Sequence, residues 1–188
     1  MEDGIEPGGR APAPGDLRLV QAFLNTVDLE DGPDRLATPE GFRRWLATHE
    51  LPGGDRDVGA DDLRRAVAVR EALRILAASN NGAAVDPAAI ALLNEQSTNA
   101  GVAVRFDAAG SAALTPVHTG INGTLGIILG RAYTAMVDGS WHRLKTCRND
   151  ACRWAFYDAS KNRSGAWCTM SICGNKAKTR AYRSRRAR

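Results

Sequence analysis

The chain has 188 residues and a mass of 20.1 kDa, enough for one domain with a small module and for burying roughly 70% of the unfolded surface. Its composition, 44% hydrophobic and 24% charged, is that of a globular protein. It contains no apolar run near the ~18 residues of a membrane span, and its first residues, Met1-Glu2-Asp3-Gly4, lack the basic-then-apolar pattern of a secretory signal, so neither membrane nor export is expected. The net charge of +4 averages two unlike parts: residues 1–140 hold 12 Lys/Arg against 19 Asp/Glu, a net of −7, and residues 141–188 hold 13 against 2, a net of +11.

Residues 1–15, rich in Pro and Gly with little to bury, read as a disordered leader. Leu17, Val20, Phe23, Leu24 and Val27 then recur at helical spacing behind Asp16, a candidate cap. Thr38-Pro39-Glu40 opens a second helix that should bury Phe42, Trp45 and Leu46. Pro52-Gly53-Gly54 ends it. A longer helix is predicted over 60–78, with Asn80-Asn81-Gly82 as its stop, and Asp86-Pro87 caps another reaching Leu93. Val102, Val104 and Phe106 alternate as one strand of a hairpin, which turns at 107–110 and returns over 112–117. The stripe Ile121, Leu125, Ile128, Leu129, Ala132 and Met136 marks a last body helix, in which Gly126 and Gly130 would admit a close helical neighbour. The fold class is mainly α (α+β), a multihelical domain over 16–140 with one β-hairpin, followed over 141–188 by a small zinc-binding hairpin-plus-helix module.

In the long helix, Arg70 and Arg74 fall on the same arc as Leu63, Ala66, Val69, Leu73 and Ala77. A buried cation needs a partner. One solution is a structural ion pair, with Asp28 or Glu71, or snorkelling to the edge. The other is a pocket in which Arg70 and Arg74 face Asn25, Thr26 and Asp28 and recognise a small anionic ligand.

All four cysteines lie in the basic end, as Cys147-x4-Cys152-x15-Cys168-x4-Cys173. Two close pairs joined by a spacer suit a tetrahedral Zn2+ site of four thiolates, closed to catalysis. Disulfides and unrelated thiols are the alternatives; the lack of a secretion-type start and the crowding of all four into 27 residues weigh against both. Lys145, Arg148, Arg153 and Lys176 are expected to offset the site's negative charge. Residues 143–147 and 153–157 can pair as a hairpin across 148–151, with Trp141, Trp154, Phe156 and Trp167 as a mini-core. Lys161-Asn162-Arg163 follows on a loop. Gly174 to Arg188 then carries seven cations and no acid; as a helix it sets Lys176, Arg180 and Arg183 on one side and Lys178 with Arg185 nearly opposite, suited to phosphates on either flank.

These residues, from Cys147-x4-Cys152-x-Trp154-x-Phe156-x-Asp158-x-Ser160-Lys161-Asn162 to Trp167-Cys168-x-Met170-x2-Cys173-Gly174-Asn175-Lys176, closely resemble the CGNR zinc finger family of bacterial proteins. Leu24-Asn25-Thr26-Val27-Asp28 and Arg70-Glu71-Ala72-Leu73-Arg74 resemble the ABATE domain that precedes that finger. The resemblance implies a cytoplasmic, stress-induced transcription regulator whose finger binds double-stranded DNA. On that reading Lys161, Asn162, Arg163, Asn175, Lys176, Lys178, Arg180, Arg183, Arg185 and Arg186 face nucleic acid, and the body senses a ligand or forms a homodimer. The chain departs from the pattern at Lys176, where the family has Arg: lysine keeps the charge but not the planar fork that reads a guanine edge. Gly165-Ala166 also departs, being less basic than the family pattern. RNA binding and protein-interaction adaptor are the alternative functions. An enzyme is not expected, because His49, His118 and His142 sit at no catalytic spacing and no phosphate loop is present.

Overall fold

A computed structural model describes residues 9–30 and 32–186. The body begins with α1 (Leu17–Leu24), α2 (Pro39–Thr48), α3 (Ala60–Ser79) and α4 (Pro87–Ala100). A hairpin of β1 (Val102–Phe106) and β2 (Ala112–Pro116) leads into α5 (Gly120–Val137). A 3-10 turn over Ser140–Arg143 opens the C-terminal module, with β3 (Leu144–Thr146), β4 (Ala155–Tyr157), a π-helical turn over Met170–Gly174 and α6 (Asn175–Arg186). The chain is mainly α, with two small antiparallel hairpins among the described residues, and none of the described helices is long and apolar enough to cross a membrane.

The expected caps hold at α2 and α4, where Thr38 Oγ1 accepts from the Gly41 amide at 3.1 Å and Asp86 Oδ1 from the Ala88 amide at 2.9 Å. Asp16 makes no side-chain cap, and its carboxylate lies 3.8 Å from Arg131 instead. The first helix stops at Leu24, so Val27 belongs to an isolated bridge with Asp34. Helix α4 runs about two turns past the Leu93 that its apolar spacing suggests, because Gln96 and Ala100 continue the buried face, and Gly101 ends it at φ 59°. The polar letters of residues 94–99 conceal that face, since Gln96 is buried by accepting from Arg65 Nε at 3.1 Å.

Gly126 admits the expected close helical neighbour, α4, together with β2: a Cβ there would sit 3.3 Å from the Ala100 Cβ and 2.8 Å from the Pro116 Cβ, whereas one on Gly130 would meet β2, 3.5 Å from the Leu114 Cβ. The hairpin's alternation does not produce a fully buried face: Val104 and Phe106 remain 57% and 76% exposed.

The leader expected to be disordered is docked from residue 9 onward; residues 1–8 lie outside the described residues. Ala13 is buried, and its amide donates to Gln21 Oε1 at 2.6 Å. Arg10 donates to the carbonyls of Cys168 (2.6 Å) and Trp167 (3.0 Å) and lies over the Phe156 ring.

The hydrophobic core runs from Leu17, Phe23, Trp45, Leu73 and Ile128 into Trp141, Leu144 and Ala155 without a break. Trp141 therefore belongs to the body's core and not to a separate mini-core. The module's own cluster is Phe156 with the four cysteines, flanked by Trp154 and Trp167.

Candidate metal centre and nucleic-acid interface

The pairing of β3 with β4, Leu144 opposite Tyr157 and Thr146 opposite Ala155, places Cys147 and Cys152 at the two ends of one tight loop. Within it the amides of Cys152 and Arg153 donate to the Asn149 carbonyl at 2.8 and 2.9 Å, and Arg153 takes a left-handed φ of 48° to close the turn. The second pair comes from the other direction. Cys168 ends the long loop after β4, and Cys173 lies in the π-helical turn that Thr169 caps by accepting from the Ile172 amide at 3.0 Å.

All four cysteines are buried and their Sγ atoms lie within 4.8 Å of one another. Cys152 and Cys168 are 3.7 Å apart, Cys168 and Cys173 3.6 Å. Four sulfurs at a Zn–S distance of about 2.3 Å on a tetrahedron have edges of about 3.8 Å. The cluster therefore has the size of a tetrahedral four-thiolate metal site. Neighbouring N–H groups point at the sulfurs: Asn149 Nδ2 lies 3.6 Å from Cys173 Sγ, and the backbone amides of Cys168 and Asn149 donate to Cys147. Among themselves the thiols compete for ionisation. Hydrogen bonds from Cys152 and Cys168 hold Cys147 down to about 2, while Cys152 and Cys168 are pushed up, because each donates its proton to a neighbouring sulfur, is desolvated by burial and would place a second negative charge beside the first. A divalent cation among four sulfurs removes that conflict.

The cations expected to offset the thiolates are mostly committed elsewhere. Lys145 is buried and donates to Asp158 Oδ2 (2.8 Å), to the Gly165 carbonyl (3.2 Å) and to the Arg163 carbonyl. Arg148 donates to the Asn81 carbonyl at 2.9 Å, and Lys176 pairs with Glu30 of the body. The Asp158 carboxylate is fully buried, which opposes its charge, yet the donors from Lys145, Ser160 and Gly165 hold its pKa well below the ordinary carboxylate range. A Cβ on Gly165 would meet that carboxylate at 2.9 Å, so the departure at Gly165 from a more basic pattern has a steric reason.

The residues expected to face nucleic acid divide into three groups. Asn175, Lys176, Arg180 and Arg183 line one open groove of about 530 Å3 beside Ile172, together with Thr179, which the sequence did not single out. Lys178, Arg185 and Arg186 are exposed elsewhere on α6. Lys161, Asn162 and Arg163 are exposed on the loop after β4, and Arg163 turns there at φ 51°.

Of the two solutions open for Arg70 and Arg74, the structure has the ion pair, with Glu71 as one expected partner and Asp34 in place of Asp28. Arg70 makes a forked pair with Asp34 (2.7 and 2.9 Å) and also donates to Thr26 Oγ1 (3.0 Å) and Glu71 (2.9 Å). Arg74, fully buried, donates to Glu71 (3.1 Å) and to the carbonyls of Arg153 (3.0 Å) and Leu24. Every guanidinium nitrogen has a protein acceptor, and burial lowers the Arg74 pKa. Asp28 turns away to accept from the Glu30 amide at 3.0 Å. Asn25 grips Ala155 from both sides, Nδ2 to the carbonyl and Oδ1 from the amide, each at 2.8 Å.

Sequence reasoning missed the partners that join the module to the body. Asn80, read only as a helix stop, donates to the carbonyls of Trp141 and Leu144, both at 2.8 Å. Asn81 donates to Thr146 (2.8 Å) and Ala166 (3.0 Å). The adjacent pair of amides was the signal, since one suffices to end a helix.

Comparison with protein families gives two matches. The ABATE family, described as "Putative stress-induced transcription regulator", matches residues 17–138, and the CGNR zinc finger matches residues 143–186. Comparison with curated proteins gave no match.

Proposed function

Because the chain belongs to the ABATE family and carries a CGNR zinc finger at residues 143–186, we propose that it is a zinc-dependent, DNA-binding transcription regulator. Cys147, Cys152, Cys168 and Cys173 hold Zn2+, which serves to staple the loop of the first pair to the turn that starts α6. The observation that carries the reading is the groove of Lys176, Thr179, Arg180 and Arg183, four residues of one helix face immediately beyond the last cysteine. Lys176 and the two arginines supply phosphate contacts, and Asn175 and Thr179 supply polar groups short enough to reach base edges. Lys178, Arg185 and Arg186 extend the basic surface around the helix, and Lys161, Asn162 and Arg163 add a second basic loop. The body acts as sensor or dimerisation unit, and the chain works as a binding protein rather than an enzyme.

The test is anisotropy of a labelled random-sequence duplex titrated with the zinc-loaded chain at several salt concentrations. The log of the binding constant should fall linearly with log salt, and replacing Lys176, Arg180 and Arg183 together by alanine should flatten the slope by about 2.7, at about 0.9 per phosphate. A salt-independent affinity, or one indifferent to the triple substitution, overturns the assignment. Tighter binding of RNA than of duplex DNA at equal ionic strength replaces it with RNA recognition.

A further inference from the structure

A cavity of about 550 Å3 lies at the seam between body and module. That volume is in the range of small-molecule sites. Its walls come from six parts of the chain: the docked leader at 9–15, the outer side of α1, Arg35, Trp45 of α2 with its cap His49, Arg131 of α5, and Trp154 of the module.

The lining carries four arginines, Arg10, Arg18, Arg35 and Arg131, against a single acid, Asp16. The body around it has a net charge of −7, so this concentration of cations is local and runs against its surroundings. Arg10 is occupied by the Trp167 and Cys168 carbonyls. Arg131 meets Asp16 only at 3.8 Å. Arg18 and Arg35 are exposed and form no ion pair among the described residues. The cavity thus joins donor groups fit for a carboxylate to the partly buried indole of Trp154; the other lining tryptophan, Trp45, is 4% exposed and packs among Phe23, Phe42 and His49.

We propose that this cavity is the effector site and that it takes a small planar aromatic carboxylate, its ring against Trp154 and its carboxylate between Arg35, Arg18 and Arg131. The proposal deepens the sensing role given above to the body, and rests on it. It moves that role away from Arg70 and Arg74, whose nitrogens are all consumed. An occupant would touch both pieces of the protein at once. Trp154 is two residues from Cys152, and Asn25, which also lines the cavity, holds Ala155 of β4.

The test is calorimetry on the full zinc-loaded chain without DNA, using benzoate and 1-naphthoate as probes and benzamide and inorganic phosphate as controls. Saturable one-site binding of an aromatic carboxylate is expected, with benzamide and phosphate at least about tenfold weaker, the loss expected when one charge-assisted contact is removed. Arg35→Gln and Arg131→Gln should each weaken the carboxylate about tenfold. Arg35 is exposed, so its variant should keep the unliganded melting temperature and isolate binding from folding. Absence of binding by both carboxylates, equal binding of benzamide, or affinity unchanged in both variants overturns the site while leaving DNA binding by α6 untouched. Binding that leaves duplex affinity unmoved keeps the site and overturns its regulatory role.

Discussion

The Arg74→Met substitution isolates what joins the two pieces of the protein. Methionine fills a similar apolar volume, so the loss is polar. Arg74 is fully buried and bridges three elements, donating to Glu71 on its own helix, to the Leu24 carbonyl at the end of α1 and to the Arg153 carbonyl beside Cys152. Glu71 keeps Arg70 at 2.9 Å after the change, so the cost lies mainly in two buried carbonyls left without donors. At about 1–3 kcal/mol each, with charge-assisted bonds at the upper end, the expected destabilisation is about 3–5 kcal/mol. For a chain of this length that lowers the melting temperature by about 6–20 °C. Lysine should be intermediate, since it keeps a charge but cannot fork to both carbonyls. Urea unfolding followed by circular dichroism and tryptophan fluorescence gives the magnitude, with Arg43→Met as the control, because Arg43 pairs with Glu40 at the surface. The bond to Arg153 also anchors the loop of the first cysteine pair, so zinc affinity in a chelator competition should fall with stability. A loss under about 1 kcal/mol, or a full loss of stability with zinc affinity unchanged, would refute this account of the seam.

Two further outcomes follow from the metal centre and the pair beneath it. Cys173→Ala should reduce bound zinc from one per chain to near none by elemental analysis; because metal binding supplies much of the folding free energy of such a module, the variant should also lose tryptophan signals from Trp154 and Trp167, and retained zinc would contradict the four-sulfur site. For Asp158→Asn the sign comes from a carboxylate whose pKa in the folded state is depressed: its stabilisation is fully present above the unfolded value of about 3.9 and is lost as pH falls well below it. The gap in urea midpoint between wild type and variant should therefore be flat from pH 8 to 5 and close below about pH 4, and a gap that widens on acidification would count against the Lys145–Asp158 pair.

Local chemistry was legible in the sequence where a residue type suits only one local geometry. Thr38 and Asp86 cap as their spacing suggests, and the two cysteine pairs converge as a tetrahedral site requires. Arg70 and Arg74 on an apolar arc announced that partners must exist, because a lone buried cation is too costly. They did not announce which partners. Asp34 lies 36 residues before Arg70 on an irregular segment, and no periodicity connects the two. The seam is harder still, since most of its acceptors are backbone carbonyls, at Leu144, Thr146, Ala155 and Ala166, and a carbonyl has the same chemistry in every residue. Likewise the docking of Ala13 and Arg10 depends on surfaces that exist only after the body and module have met.

The charge split at residue 141 is a division of labour on one folded unit. Composition suggests an acidic domain from which the basic end could be removed. The packing argues otherwise, because the core passes through Trp141, Leu144 and Ala155, and cutting the chain there would uncover that apolar surface and take from Asn25, Asn80 and Asn81 the carbonyls they bond and from Arg74 one of its three partners. A buried polar group set against the wrong neighbour costs about 1–3 kcal/mol, since it has given up water without a replacement bond. The polar seam therefore fixes one register of module against body, while the greasy contact alone would tolerate several. That rigidity gives the charge split its use. The +11 end is held with Lys176 paired to Glu30 of the body, so one cation of the proposed phosphate groove is already countered by the acidic body, and a phosphate that takes Lys176 would have to displace that carboxylate.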